Sequence, residues 1–556
     1  MPQNNSKNEI IHMPNAHTPD TDEQTSLKLK TARTLKWNSI NKLAEQVLYA
    51  VTGIVLANIV SQEDFGLVGA ILVFQAFATL FVDSGFSNAL VQRKQPTTLD
   101  YSTVFWFNLG VSIALYAILW FAAPLIDQLF RADGRLIPLS RVMFLTFILN
   151  STALVQTNRL IKQMNVRLVA LSNVIGLVIS GGIGIWLALD GYGAWAIVWQ
   201  SVSLAAVKSI ILWCCTHWRP TMQFSLRSLK SIFKVGAGVM TGNLLNIASQ
   251  NIYSFIIGTF YNLTQLGCYT QADKWSKMGV ASLSSILITT FLPVLSGVQD
   301  DRERLHRMVS KTNRLSAYMV LPSMALLLLT APHIFHVLFG NKWDNAIVLF
   351  QLLALRGIFT VVAAVYYNFI LAVGDAKRLV YSEVVKNAIL VAAIVVTVPY
   401  GITWLVIGQV VAGIICYVYN VVLVKRTIGY SALKLVGETV VYALMAAMAV
   451  FVAKMLELFI FDAWLLLPAQ IIVGAALYLA MNTAIGNDIQ REVLSYAFGR
   501  FLRKKARLLH RPNPPAPRLL SHIKKPDFPR NPNVASILIV YNNNENGDES
   551  ITAIIP

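Results

Sequence analysis

An arginine lies in the middle of an apolar stretch that is long enough to cross a membrane. The stretch "AIVLFQLLALRGIFTVVAAVYYNFILAV" runs from Ala346 to Val373, and Arg356 is its only charged residue. A helix of this length exceeds the ~30 Å thickness of the bilayer hydrocarbon and would place Arg356 near its middle. Because an unpaired charge is costly at this depth, we expect the guanidinium to face another helix, a cavity or a ligand.

Charged residues also lie inside the predicted helix that starts near Leu266. Asp273 and Lys277 are four residues apart and can form an ion pair, which leaves Lys274 without a local partner. The alternative is that the helix starts later, near Met278, so that these charges belong to an external loop. If the longer helix forms, Lys274 is a second deep cation without a neighbouring carboxylate.

Other charges inside predicted helices have simpler explanations. Glu383 and Lys386, in "YSEVVKNAIL", are three residues apart and can neutralise each other. Arg141 and Lys208 lie nearer the ends of their helices, and we expect their side chains to extend toward the membrane surface. Lys386 is therefore a secondary candidate for a binding site.

Two predicted helices carry a polar face with helical spacing. The residues are Asn38, Asn41, Lys42, Glu45 and Tyr49 in the first helix, and Asn243, Asn246, Ser249 and Gln250 in the seventh. Hydrogen bonds between helices explain the neutral residues as well as substrate contacts do. Lys42 and Glu45 can pair one turn apart.

Deep cations favour an anionic ligand, and guanidinium and ammonium groups suit phosphate oxygens best. We therefore expect Arg356 and Lys274 to bind an anion, and Lys277 and Lys386 are secondary candidates. A lipid-linked pyrophosphate fits, because its charged group needs a passage lined by cations while its acyl chain stays in the bilayer. The alternative is an internal network of ion pairs that only stabilises one conformation.

Four carboxylates are candidates for coupling transport to protons or sodium, because carboxylates inside membranes often act as relays. They are Glu45, Asp83, Asp273 and Glu383. Each also has a nearby cation or a helix end that explains it without coupling. The phosphate-binding pattern GxxxxGK[ST] is absent from the sequence, so ATP is not expected to drive transport directly.

The composition is that of a membrane protein with many spans. Hydrophobic residues make up 55% of the 556-residue chain, and charged residues make up only 13%. A soluble domain has about a quarter charged residues. The four cysteines of this chain, at positions 214, 215, 268 and 416, show neither metal-binding spacing nor a disulfide pattern. We predict no metal site and no cofactor.

The net charge of +18 is distributed according to membrane topology and does not indicate a nucleic-acid-binding protein. Lysines and arginines collect in every second loop, for example in "DDRERLHRMVSKTNR", whereas the intervening loops hold few of them. This is the positive-inside rule, and it predicts that both termini are cytoplasmic. The same rule predicts that loops with few basic residues, such as "SQED", are external.

The hydropathy pattern predicts an all-α fold of about fourteen transmembrane helices. They start near Trp37, Phe65, Tyr101, Ile137, Arg167, Tyr192, Phe233, Leu266, Asn313, Ala346, Leu379, Ile402, Leu435 and Phe459. An even number agrees with two cytoplasmic termini.

An internal repeat predicts two pseudo-symmetric lobes of six helices. "VLANIVSQEDFG" (Val55 to Gly66) aligns without gaps on "IIGTFYNLTQLG" (Ile256 to Gly267), six helices later. The even separation gives both copies the same membrane orientation, and such lobes enclose a central cavity in transporters. We predict lobes at 34–232 and 233–430, with helices thirteen and fourteen at 431–485.

The two tails are expected to lack a packed domain. Residues 1–33 are polar, without the apolar segment of a signal peptide, and are predicted to form a disordered cytoplasmic tail. Residues 486–556 contain the basic, proline-rich "GRFLRKKARLLHRPNPPAPRLLSHIKKP", which is typical of a cytoplasmic segment near anionic headgroups. Near the end, "VASILIVYNNN" has the composition of a single strand.

One stretch resembles a known family of transporters. "DSGFSNALVQRKQPTTLDYSTVFWFNLGVSIALYAILWFAAPLI", from Asp83 to Ile126, is similar to oligosaccharide flippases of the polysaccharide transporter branch, within the superfamily that also holds drug exporters and lipid II flippases. It looks like the Wzx type associated with colanic acid and similar exported polysaccharides. The likeness covers roughly Lys36 to Thr483, and both tails fall outside it.

The resemblance implies a substrate and a mechanism. The substrate would be an oligosaccharide repeat unit on undecaprenyl pyrophosphate, moved to the periplasmic leaflet by two lobes that alternate access to a cationic cavity. Related flippases often use cations in the first, second, seventh and eighth helices, which adds Lys42 here. The seventh helix has only amides in place of cations, and the second has only Asp83. The cations of the predicted anion site are therefore unevenly distributed among these helices. Glycosyltransferases and a polysaccharide polymerase are the implied partners.

Three other functions compete with this one. A drug or small-molecule exporter of the same superfamily would have a cavity dominated by carboxylates and aromatic residues. A membrane glycosyltransferase, polymerase or ligase generally needs an external loop or domain with catalytic residues, and the external loops here are too short. A scaffold for the synthesis machinery, without transport, is permitted by the basic tail alone.

Overall fold

The computed structural model describes residues 42–83, 90, 93, 95–296, 301–495, 538–543 and 549–554. Within these ranges, the side chains of 83, 232–242, 285–286, 288–296, 376–377, 538–543 and 549–554 are outside the description. The predicted tail 1–33 and most of 486–556 also lie outside the described residues.

The described part of the chain is built mainly from long helices that we number in chain order. They are α1 (Lys42–Ile59), α2 (Gln62–Asp83), α3 (Thr98–Phe130), α4 (Leu136–Lys162, interrupted at Phe144), α5 (Val166–Leu189), α6 (Ala194–Cys215), α7 (Leu226–Phe260), α8 (Leu263–Ser296), α9 (Arg302–Phe339), α10 (Asp344–Ala372), α11 (Ala376–Thr397), α12 (Ile402–Ile428), α13 (Ala432–Met455) and α14 (Ala463–Ala484). A short helix follows at 488–495.

Twelve of the described helices are long and apolar enough to cross a membrane. The 35-residue α7 and the 34-residue α8 are not among the twelve, and α8 carries three charged residues in its first half. The all-α membrane fold predicted from hydropathy is confirmed, whereas the number of fourteen spans stays a prediction.

The largest difference from the predicted boundaries is at α9. Hydropathy placed its start near Asn313, but the helix begins at Arg302, because the Asp301 carboxylate caps it by accepting the Arg304 backbone N–H at 3.1 Å. The segment "DDRERLHRMVSKTNR", predicted as a loop, is therefore mostly the charged first part of a helix. Hydropathy detects only the apolar part of such a helix.

We call α1–α6 the first half of the fold and α7–α12 the second half. In the first half α5 packs along α6, and α4 packs along both α3 and α6. In the second half α10 packs between α8 and α12, while α13 and α14 pack against α9. By its contacts the chain up to Glu492 is one compact unit, so the predicted lobe boundaries at 34–232 and 233–430 stay a prediction.

The two halves meet where α2 crosses α8, and the crossing is built from the two copies of the repeat. A Cβ added to Gly66 would lie 1.8 Å from the carbonyl oxygen of Leu263, and one added to Gly267 would lie 1.9 Å from the carbonyl oxygen of Gln62. Gly66 aligns with Gly267 in the repeat, and Gln62 aligns with Leu263. The two contacts are therefore equivalent, which supports the internal repeat.

The end of the chain forms a separate small unit. Strand β1 (Leu538–Asn543) pairs antiparallel with β2 (Glu549–Ile554), starting with Leu538 opposite Ile554. The predicted single strand is therefore paired with a second strand.

Candidate functional site

Arg356 lies near the middle of α10, as the sequence predicts. Its side chain is half-buried, and its Cγ packs on α12, 3.2 Å from where a Cβ on Gly413 would be. The guanidinium is close enough to Tyr253 and Tyr269 for electrostatic interaction. No ion pair of Arg356 occurs within the described ranges.

The two tyrosines near Arg356 are almost fully buried and were not predicted as part of a site. Tyr253 on α7 and Tyr269 on α8 are each 1% exposed. The Tyr253 hydroxyl has no hydrogen-bond partner among the described groups, and the Tyr269 hydroxyl accepts from Gln409 at 3.5 Å. Tyr253 continues the polar face of Asn246 and Gln250 by one turn, and this spacing was the available signal in the sequence.

Lys274 lies inside α8 and points across to α1. Because α8 begins at Leu263, the alternative of an external loop is wrong. The Lys274 ammonium lies 4.7 Å from the ring centroid of Tyr49 and 5.3 Å from that of Trp275. A Cβ on Gly53 would lie 2.7 Å from this ammonium, so glycine leaves room for it. Such contacts with aromatic faces are favourable but leave a desolvated cation without an anion.

A polar seam between α1 and α8 continues beside Lys274. The Gln46 amide donates to the Ser282 hydroxyl at 3.2 Å and to the Met278 carbonyl at 3.5 Å. Gln46, Tyr49 and Gly53 recur at helical spacing, so one face of α1 makes all of these contacts. The sequence could indicate that face but not the helix it meets.

The other charges of the second half form the pairs expected from their spacing. Lys277 and Asp273 are 2.6 Å apart, and Lys386 and Glu383 are 2.5 Å apart. Lys277 also approaches the Gln250 carbonyl at 3.5 Å, which ties α8 to α7. Neither of these ion pairs involves Lys274.

The remaining candidates lie in the first half. Lys42 is exposed at the start of the described part of α1. Glu45 is close enough to Lys208 on α6 for electrostatic attraction, so Lys208 lies near a carboxylate of this half. The side chain of Asp83, at the end of α2, lies outside the described residues.

The buried interior of the first half is largely neutral. Asn108 on α3 and Gln156 on α4 are fully buried, and their amides have no hydrogen-bond partner among the described groups. The Gln75 amide donates to the Thr146 hydroxyl at 3.2 Å. Two buried residues of this half are charged: Asp100 pairs with Arg93 at 3.0 Å, and Asp127 accepts from the backbone N–H groups of Gly134 and Leu136.

On the predicted external side the two halves are closed against each other. The Asn58 amide donates to the Leu338 carbonyl at 2.7 Å, and the Trp343 indole donates to the Ala57 carbonyl at 2.9 Å. The Lys342 ammonium donates to the Val60 carbonyl. These contacts, which we call the external seal, join the end of α1 to the turn between α9 and α10. No pattern in the sequence predicted these contacts.

The twelve described helices that are long and apolar enough to cross a membrane define a membrane protein with many spans. The sequence pattern of the polysaccharide biosynthesis protein family matches residues 55–348, just over half of the chain. The chain belongs to this family.

Relatives with curated names are similar over most of their length. The succinoglycan biosynthesis transport protein ExoT of Rhizobium meliloti (strain 1021) is 25% identical over 87% of this chain and 98% of its own. The lipopolysaccharide biosynthesis protein WzxC of Escherichia coli (strain K12) is 24% identical over 67% of this chain and 76% of its own. The resemblance to Wzx-type polysaccharide transporters is confirmed.

The fold is shared with a solved transporter structure. The lipid II flippase MurJ, in an inward closed conformation, superposes with a TM-score of 0.69 over 81% of this chain and 99% of its own, at 15% sequence identity. This similarity confirms the fold expected from the resemblance.

Proposed function

We propose that this protein is a flippase that moves undecaprenyl-pyrophosphate-linked oligosaccharide repeat units across the cytoplasmic membrane by alternating access. The transport would serve the biosynthesis of surface polysaccharide or exopolysaccharide. The family, the names of ExoT and WzxC, and the fold shared with a lipid II flippase support the proposal. The observation that carries it is the pair of cations, Lys274 and Arg356, that lack a carboxylate partner among the described residues.

The chemistry of the substrate matches the positions of these cations. A pyrophosphate binds guanidinium and ammonium groups through charge-assisted hydrogen bonds, which are roughly twice as strong as neutral ones. Lys274 lies at the seam between α1 and α8, and α1 also exposes the apolar side chains of Leu43, Val47 and Val51. A substrate at this seam would keep its acyl chain in the lipid while its pyrophosphate contacts Lys274.

The roles of the remaining candidates follow from their partners. Lys277 and Lys386 are held by Asp273 and Glu383, so they would strengthen the positive field rather than bind the pyrophosphate first. Lys42, which is exposed, would meet the substrate on entry from the cytoplasmic side. Glu45, which lies close enough to Lys208 on α6 for electrostatic attraction, is one of the four carboxylates proposed for a coupling role.

The proposed setting is the cytoplasmic (inner) membrane, with both termini in the cytoplasm. Membrane lipids and a lipid-linked oligosaccharide would be the direct partners. Glycosyltransferases would act before transport, and a polymerase would act after it. An ion-coupled drug exporter is less well supported, because the carboxylates Asp273 and Glu383 are each neutralised by a lysine.

Transport in proteoliposomes tests the proposal. The vesicles contain purified protein and an undecaprenyl-pyrophosphate-linked oligosaccharide, and flipping is measured for the wild type, Arg356→Ala and the control Arg131→Ala. Arg131 is an exposed residue at the external end of α3. We expect transport by the wild type and the control and none by Arg356→Ala. A folded wild-type protein that does not move the matched lipid would overturn the proposed function.

A further inference from the structure

A cluster of two aromatic residues and one arginine lies in the first half, away from Lys274 and Arg356. The guanidinium of Arg141, on the first segment of α4, lies 4.4 Å from the ring centroid of Trp120 on α3. The ring of Tyr116 is 5.7 Å from that of Trp120, and Tyr116 is close enough to Arg141 for electrostatic interaction. We call Tyr116, Trp120 and Arg141 the Arg141 cluster.

The Arg141 guanidinium has unmet hydrogen-bonding capacity. Its Nε is buried and has no acceptor, and it forms no ion pair with any residue in the described ranges. A guanidinium offers five N–H donors and stays charged at any pH a cell experiences, so an anion is the natural missing partner. Trp120 covers one face of the group, which leaves the N–H groups at its edge free to bind that anion.

The side chain of Arg141 packs on α3, and its expected extension toward the membrane surface stays a prediction. It reaches Trp120, which lies ten residues before the end of α3 at Phe130, or about 15 Å along the helix. The stacking on the indole holds it there, since a guanidinium over Trp is among the stronger cation–π contacts. Arg141 is therefore a fixed group at the protein surface rather than a flexible one.

The cluster opens toward lipid. The apolar side chains of Phe121 and Ile118, next to Trp120, are 79% and 62% exposed, which for a membrane-spanning helix means contact with lipid. The 33-residue α3 is about 50 Å long, whereas the hydrocarbon core is about 30 Å thick, so its last turns extend past the hydrocarbon. Arg141 lies within two turns of the predicted external end of α4, near the headgroups of the outer leaflet.

We propose that the Arg141 cluster is a binding site for the phosphate group of an anionic lipid in the outer leaflet. The planar guanidinium would hold two phosphate oxygens, and the Tyr116 hydroxyl would add a donor. A phospholipid headgroup and the pyrophosphate of a transported lipid after flipping share this chemistry. The site does not depend on the proposed function, because its geometry is separate from that of Lys274 and Arg356.

Lipid binding measured by native mass spectrometry tests the site. The full-length protein in detergent is titrated separately with phosphatidylglycerol and with undecaprenyl pyrophosphate, for the wild type, Arg141→Gln and the control Arg131→Gln. We expect Arg141→Gln to weaken the tightest binding of phosphatidylglycerol by about tenfold, since it removes a charge-assisted pair, and the control to match the wild type.

The outcomes separate the two sources of phosphate. If Arg141→Gln weakens only the binding of undecaprenyl pyrophosphate, the phosphate site stands and its occupant is the transported lipid. If both lipids bind Arg141→Gln as tightly as the wild type, the proposal is wrong. Trp120→Leu keeps the charge but removes the aromatic face, and we expect a smaller loss of affinity. This variant provides the same test should Arg141→Gln fail to fold.

Discussion

The two halves of the molecule make equivalent glycine contacts where α2 crosses α8, but the two crossing helices differ in charge. In α8 the second half places Asp273, Lys274 and Lys277 within the helix, whereas the aligned positions of α2 hold Leu72, Val73 and Ala76. The buried polar residues of the first half, such as Asn108 and Gln156, are mainly neutral amides and hydroxyls. An anionic group would therefore be held by one half alone. Under the proposed function, the equivalent crossing would allow the two halves to move, and the unequal charges would bind the substrate.

The strongest test of the shared backbone is a pair of glycine substitutions. Gly66→Ala and Gly267→Ala would each force a Cβ to within 2 Å of a backbone carbonyl oxygen, at 1.8 and 1.9 Å respectively. We expect each to destabilise the protein by about 3 kcal/mol, and by similar amounts. Thermal unfolding in detergent measures this. The control is Gly110→Ala, since a Cβ there has no atom within 4 Å. Clearly unequal effects would argue against an equivalent crossing.

A charge exchange tests the difference between the halves. Lys274→Val should lower the rate of flipping about tenfold or more, because a pyrophosphate loses one charge-assisted contact. A second substitution in the same protein, Val73→Lys, places a lysine at the aligned position of α2. Val73 is only 2% exposed. We expect no rescue, because the new charge is buried against protein. Restored flipping in proteoliposomes would show that either half can hold the anion.

A milder change displaces Lys274 without removing it. Gly53→Ala puts a Cβ 2.7 Å from the Lys274 ammonium, and the end of a lysine side chain can move aside. We expect a several-fold loss of flipping with almost unchanged thermal stability, because only the contact with Tyr49 is disturbed. Gly182→Ala on α5, where a Cβ has no atom within 4 Å, is the control. A loss of stability as large as that of flipping would mean that Gly53 only has a packing role.

The smallest effect is expected from Glu383→Gln. The change releases Lys386 from its ion pair and makes the second half more positive. A partly exposed ion pair contributes only about 0–1 kcal/mol, so stability should change little. The substrate concentration for half-maximal flipping should fall by about twofold. A rise would indicate that Glu383 takes part in transport directly.

The sequence predicted well those features that depend on one helix at a time. The central position of Arg356 and the pairs Asp273–Lys277 and Glu383–Lys386 followed from spacing along single helices. The beginning of α9 was missed, because its first turns are charged and stabilised by the Asp301 cap rather than by lipid.

Contacts between distant helices were not predictable. Tyr49 appeared as part of a polar face of α1, but its contact with Lys274 depends on how α1 packs against α8. Tyr253 and the external seal were missed for the same reason. The hydrophobic periodicity of a sequence indicates which side of a helix is polar. The residues that this side contacts depend on how the helices pack.

The acceptors of the external seal are all main-chain oxygens, at Leu338, Ala57 and Val60. Every amino acid supplies such an oxygen, so these positions can drift during evolution without loss of the hydrogen bonds. Only the donors, such as Asn58 and Trp343, restrict the choice of residue. Related proteins can therefore diverge widely in this region and still close in the same way.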